Sequence, residues 1–144
     1  MILSRSSEYA IRLIFYLIER QPLHQLVRIR AVAEELNVPY YQLAKVVNTL
    51  KSESVLTSLT GPSGGIDLGD KVESLTLLDI IRIFGDADVL ESCILGLSEC
   101  SDQNPCPIHT AWKDVKGEIK EIFSNQTLGQ LKRDEVLPHI ISNR

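Results

Sequence analysis

The chain has 144 residues, 44% of them apolar and 24% charged, with a formal net charge of −4. That is the size and balance of one soluble domain, and on its face the acidity argues against a nucleic-acid binder, which ordinarily carries a basic excess. The longest uninterrupted apolar run, Leu13 to Ile18, is far short of the about 20 residues a membrane span needs, and Arg5, Glu8 and Arg12 break up any leader-like core, so a cytoplasmic protein with no membrane partner is expected.

The charge is unevenly spread. Residues 1–60 hold seven basic and five acidic side chains, whereas residues 61–144 hold eight basic and fourteen acidic ones. Only the first part offers a phosphate-facing surface.

In chain order, Ser6 or Ser7 can cap a first helix, with Glu8 in its first turn favoured by the helix dipole. Ala10, Ile11, Leu13, Ile14, Phe15, Leu17 and Ile18 cover most of its surface, which predicts a buried central helix ending before Pro22. A short second helix covers about Arg30 to Leu36, followed by a turn at Asn37 and Val38. Pro39 suits the first position of a third helix that runs to about Glu53. Within it Leu43, Val46, Val47 and Leu50 repeat at i, i+3, i+4, i+7, one buried stripe. Val55 to Thr60, the turn Gly61-Pro62-Ser63-Gly64-Gly65 and the short run Ile66 to Leu68 read as a two-stranded hairpin.

The fold class this predicts is mainly α: a winged helix-turn-helix with a small hairpin wing. The face of the third helix opposite its buried stripe carries Tyr41, Gln42, Lys45, Asn48, Thr49 and Lys51. Gln and Asn can bond adenine edges, Lys can reach guanine or phosphate, and a Thr methyl can touch a thymine methyl. The wing turn, with Ser63 and Gly64, is the second expected DNA contact. The competing reading is a small helical domain that binds protein, on which Gln42, Asn48 and Thr49 are only a solvated face.

Thr76 can cap a fourth helix that is apolar at Leu77, Leu78, Ile80, Ile81 and Phe84. Residues 85–107 then turn rich in Gly, Asp, Ser, Asn and Pro and hold all three cysteines. A long helix begins near Ile108, and its Ile108, Trp112, Val115, Ile119 and Ile122 step 4, 3, 4, 3. Such a heptad-like seam must pack on the first helix or on a second chain. A short turn over Leu128 to Leu131 and a polar tail close the chain. The organisation expected is a DNA-binding domain over 1–85, a cysteine loop over 86–107, and a dimerisation helix with tail over 108–144.

The loop reads Cys93-x6-Cys100-x5-Cys106-x2-His109. Three thiolates and an imidazole are a full ligand set for one metal centre, and an iron–sulfur cluster and a structural zinc fit the spacing about equally. Three thiols without a metal are the plainer alternative. Catalysis is not expected: Gly61-Pro62-Ser63-Gly64-Gly65 superficially looks like the surroundings of a serine-protease nucleophile, but it joins two short strands as a turn and no His and Asp are placed to complete a triad.

The segments Ser4 to Leu13 (SRSSEYAIRL), Leu43 to Leu50 (LAKVVNTL), the wing Gly61 to Ile66 and the helix start Thr76 to Ile81, with the cysteine loop ahead of a long helix, resemble the dimeric winged helix-turn-helix regulators that include IscR, NsrR and CymR. The resemblance covers nearly the whole length. It implies a homodimer on double-stranded, pseudo-palindromic operator DNA. It also implies one cluster per subunit, [2Fe–2S] before [4Fe–4S], held by Cys93, Cys100, Cys106 and one non-cysteine ligand. That ligand would be His109 in an IscR-like mode, or Glu8 of the partner subunit in an NsrR-like mode, and local spacing favours His109. A centre lacking a fourth thiolate has one displaceable ligand, where nitric oxide, oxygen or iron loss can act. The alternative within the same fold is a cluster-free regulator that responds through thiols, zinc or another effector. Two departures from the family pattern stand out. Thr60 and Asp67 occupy wing positions that usually carry cations, and the first gap between cysteines is long.

Overall fold

The computed structural model describes residues 3–20 and 25–131. The expected stop at Pro22 and the polar tail lie outside the described residues. Helix α1 (Arg5–Arg20) buries an unbroken run from Leu13 to Ile18 along with Ala10, as a helix apolar on most sides must. Its first turn is capped differently from expectation. Ser4, not Ser6 or Ser7, offers its hydroxyl to the amide of Ser7 (3.3 Å), and Ser7 itself is buried inside the helix.

Helices α2 (Ile29–Glu35) and α3 (Tyr40–Ser52) form the helix-turn-helix. The turn needs a left-handed residue, which Asn37 supplies at φ 52°. Arg12 of α1 donates to the Leu36 carbonyl at the end of α2, which fixes the pair against the central helix. Pro39 sits one residue earlier than expected: its extended ψ of 125° makes it the cap before α3 rather than its first helical residue. Leu43, Val46, Val47 and Leu50 are all buried, as their period requires.

The wing is an antiparallel pair, β1 (Leu56–Leu59) and β2 (Gly65–Leu68), in the register Leu56 to Leu68 and Leu59 to Gly65. A third strand-like contact joins it. Val27 exchanges both backbone hydrogen bonds with Ile66, at 3.0 and 2.8 Å, so the residues just before α2 are strapped to the wing. Gly65 makes this approach possible, because a Cβ there would sit 2.6 Å from the Val27 carbonyl oxygen.

Helix α4 (Leu77–Ile83) begins with a full capping box: Asp79 donates its amide to the Thr76 hydroxyl, and the Asp79 carboxylate accepts from the Thr76 amide. The stretch expected as loop contains one helical turn, α5 (Asp88–Glu91), too short to leave a periodic signal. Helix α6 (His109–Ser124) starts where expected. It packs on α4 and α5 around a second, smaller core of Leu78, Ile81, Ala87 and Leu90, met by Ile119 and Phe123. Helix α7 (Leu128–Leu131) returns to the main core, where Leu128 is buried.

The expected seam of α6 divides. Ile119 is half-buried within the chain, whereas Ile108, Val115 and Ile122, spaced by sevens, are 43%, 46% and 70% exposed. Ile94, Leu95 and Leu97 of the cysteine loop are exposed as well.

Candidate DNA interface and metal centre

On the first face, Tyr41 is 81% exposed, and Gln42, Lys45, Asn48 and Lys51 are exposed beside it on α3. Thr49 is half-buried, and its hydroxyl donates to the Lys45 carbonyl of its own helix (3.2 Å), which leaves its methyl as the part able to contact a base. Ser63 is exposed and Gly64 half-buried in the wing turn, where the Gly64 amide donates to the Gly61 carbonyl (3.0 Å). A Cβ on Gly64 would clash with the Leu59 carbonyl, so this residue shapes the turn by having no side chain.

The N-terminal cations are sorted by place. Arg5 pairs with Glu8 (3.5 Å) and Arg20 with Glu35 (2.6 Å), both on the α1 side. Arg28, Arg30, Lys45 and Lys51 have no ion-pair partner among the described residues. They gather around α3 and the wing, where a cleft of about 410 Å³ opens between the two.

The second site lies between α5 and α6. Cys93 is buried, and its Sγ lies 3.9 Å from Cys106 Sγ. Amides of Leu95 and, after burial's opposing effect, Leu97 hydrogen-bond the Cys93 sulfur and hold its pKa below the ordinary thiol value. Cys100 Sγ lies 3.6 Å from His109 Nδ1, and the Lys116 ammonium stands 3.3 Å from the same sulfur. His109 is 5% exposed, and its Nε2 is 2.9 Å from Asp102 Oδ1. A carboxylate can only accept, so Nε2 carries a proton, and in the neutral imidazole this leaves the Nδ1 lone pair facing Cys100. Lys113 grips Asp102 through both carboxylate oxygens (2.9 and 2.7 Å). That contact, with His109 next, holds the Asp102 carboxyl below its usual range and lifts the Lys113 ammonium above its own.

A tetrahedral metal with bonds of about 2.3 Å to sulfur and about 2.1 Å to nitrogen sets two thiolates about 3.7 Å apart and a thiolate and imidazole about 3.6 Å apart. Cys93 with Cys106 and Cys100 with His109 each match such a bite. Among the described residues no group of three or more His, Cys, Asp or Glu is placed to hold one metal ion. Among the described residues the four side chains therefore form two close pairs rather than one set of four around a single point.

Residues 3–134 match the profile of the Rrf2 family, described as an iron-dependent transcriptional regulator. The chain belongs to the Rrf2 family. It is 35% identical over 133 residues to an HTH-type transcriptional regulator of Aquifex aeolicus, with 91% of each chain covered. It is 28% identical over 107 residues to the HTH-type transcriptional regulator IscR of Vibrio campbellii, spanning 74% of this chain but only 63% of that one. Its fold is similar to that of CymR, the global cysteine regulator of B. subtilis, with a TM-score of 0.73 at 22% identity over 90% of this chain and 95% of CymR. This Rrf2 chain is thus a transcriptional regulator with a winged helix-turn-helix fold, not an enzyme, and DNA is its partner. The segment that looks protease-like is its wing turn. None of its described helices is long and apolar enough to cross a membrane.

Of the expected site residues, the structure brings Cys93, Cys100, Cys106 and His109 to one end of α6. Glu8 stands in the first turn of α1, beside Arg5. The sequence reading missed Asp102, whose role appears only when the loop folds back on His109. It also missed Arg28 and Arg30, which flank Ile29 at the start of α2, far in sequence from the cation-free hairpin beside which the fold places them.

Proposed function

We propose that this chain is a homodimeric regulator of operator DNA whose affinity is set by an iron–sulfur cluster held by Cys93, Cys100, Cys106 and His109. The observation that carries the reading is the pairing of ligands at 3.9 and 3.6 Å. Two pairs suit two irons, which favours [2Fe–2S] over a single structural zinc. Such a cluster supplies a one-electron redox centre that oxygen, nitric oxide or iron shortage can dismantle.

The chain's own residues provide the rest. Asp102 fixes the tautomer and orientation of His109, as outer-shell carboxylates do for metal-binding imidazoles, and Lys113 holds Asp102 in place. Trp112 donates its indole N–H to the Ser92 carbonyl (3.2 Å) and Lys120 pairs with Glu91 (2.8 Å), which ties α6 to the start of the cysteine loop. Ligand binding by the loop therefore stiffens the support of α6, and release loosens it. The exposed stripe Ile108, Val115 and Ile122 supplies the dimer seam, so α6 links the loop to the spacing of the two α3 helices. Tyr41, Gln42, Lys45, Asn48, Thr49 and Lys51 then read the operator, with Ser63 and Gly64 of the wing beside them. In this reading residues 1–85 bind DNA, 86–107 sense, and 108–144 carry dimerisation.

A second reading keeps the fold and drops the cluster. The 3.9 Å approach of Cys93 and Cys106 also suits a thiol switch, in which one equivalent of peroxide oxidises the two thiols to a disulfide and is reduced to two waters. Anaerobic purification with visible absorption, iron and sulfide assays separates the two. About two irons and two sulfides per chain are expected. Colourless protein, with zinc or with no metal, would overturn the cluster.

A further inference from the structure

The wing is poor in positive charge. From Leu56 to Leu68 it holds no Lys or Arg, and its one charged side chain, Asp67, turns back to accept from the Leu68 amide (2.7 Å). A hairpin of this kind brings nothing to neutralise a DNA phosphate. Yet the cleft beside it is cationic. Arg28, Arg30 and Lys51 line it with Tyr40, Asn48 and Thr60, and no acidic side chain is among its lining residues.

We propose that Arg28, delivered from the segment ahead of α2, is the cation of the wing, and that with Arg30 and Lys51 it binds backbone phosphates of duplex DNA in this cleft. The inference rests on the reading that α3 meets DNA and adds the phosphate contacts to it. The backbone strap between Val27 and Ile66 places the residue after Val27 at the wing, and Gly65 permits the strap. From there the Arg28 guanidinium crosses to the wing turn and donates to the Pro62 carbonyl. That bond uses one of five N–H donors and orients the remainder, which stay available to an anion. Arg30 is likewise held in advance, its guanidinium 4.7 Å from the centre of the Tyr40 ring. Lys51 closes the other side from the last turn of α3.

A staple between α2 and the wing would need only the bond from Arg28 to Pro62. It would not need two further cations without carboxylate partners in the same cleft, while Arg5 and Arg20 elsewhere are paired. Charge complementarity to a polyanion accounts for all three. Phosphate contacts position a protein on the duplex without reading sequence, so the contribution is to affinity and register.

The test is a series of anisotropy titrations of the full chain against a mixed-sequence DNA duplex of about 30 base pairs over a range of salt. Arg28→Gln keeps a side-chain amide able to donate to Pro62 and removes the charge. It is expected to flatten the slope of log affinity against log salt by about 0.9, the loss of one phosphate contact. Arg28→Lys is expected to keep the slope. Thr60→Arg, which puts a cation back in the wing from the same cleft, is expected to restore the slope in the Arg28→Gln protein and to steepen it in the wild type. A wild-type slope in Arg28→Gln, or equal loss in Arg28→Gln and Arg28→Lys, would overturn the proposal and leave Arg28 as a staple. Absence of DNA binding by the wild-type chain would overturn the DNA-interface reading together with it.

Discussion

Replacing Cys93, Cys100 or Cys106 singly by Ala is expected to abolish the visible absorption and bound iron of the anaerobically isolated protein. Each cysteine supplies one of the three anionic thiolates of the two pairs, and neither water nor Ala replaces a thiolate's charge and bond strength to iron. His109→Ala removes the only neutral ligand. It is expected to leave a cluster that assembles poorly and is lost quickly in air, rather than one that never forms. Asp102→Asn keeps the ligands but weakens the acceptor that fixes the His109 tautomer, so retention is expected to fall by about 10- to 100-fold. Glu8→Gln is expected to change none of this, because in the proposed set His109 already supplies the fourth ligand. Loss of iron in Glu8→Gln with retention in His109→Ala would assign the fourth ligand to Glu8 of the partner subunit instead. Competition with a chelator, followed at the visible band, checks the whole set.

Introducing Asp at both Val115 and Ile122 is expected to convert the dimer to a monomer while leaving each subunit folded. Both residues are exposed in the single chain, so the substitutions cost its core little. In a dimer whose seam runs along α6, they would bury four unpaired carboxylates, a penalty on the order of several kcal/mol per charge even after relaxation. Sedimentation at micromolar concentration reads the change directly. DNA affinity is expected to fall by about 100-fold or more, since two linked reading helices on two half-sites gain by avidity what one alone lacks. A double variant that remains dimeric would place the dimer contact elsewhere.

The fold was largely legible because its elements carry strong local signals. The i, i+3, i+4, i+7 stripe of α3, the Gly-rich turn of the wing and the cap at Thr76 each point to one conformation, and all three are found. The errors fall where several residues offer the same chemistry. Ser4, Ser6 and Ser7 can all cap, and only the packing of Ser7 into the core selects Ser4. Helix α5 is a single turn with no period to detect. The spacing of α6 showed a seam but not its division, because Ile119 meets α4 and α5 while Ile108, Val115 and Ile122 point away from that core.

The site divides in the same way. The cysteine spacing suggested four candidate ligands, but their grouping into two close pairs needed the loop in three dimensions. Asp102 looked like any loop acid until it was found against His109 Nε2. Net acidity was a weak objection to DNA binding, since Arg28, Arg30, Lys45 and Lys51, which have no ion-pair partner among the described residues, collect at α3 and the wing, while the acidic excess belongs to residues 61–144.

The central claim is that the loop at Cys93–Cys106 controls DNA affinity through α6. The direct measurement is the affinity for one operator duplex of the anaerobic, iron-loaded protein and of the same sample stripped with a chelator under reducing conditions. A difference of about 5- to 150-fold in either direction is expected, the range of ordinary coupling between two sites. Equal affinity of the two forms would contradict the account.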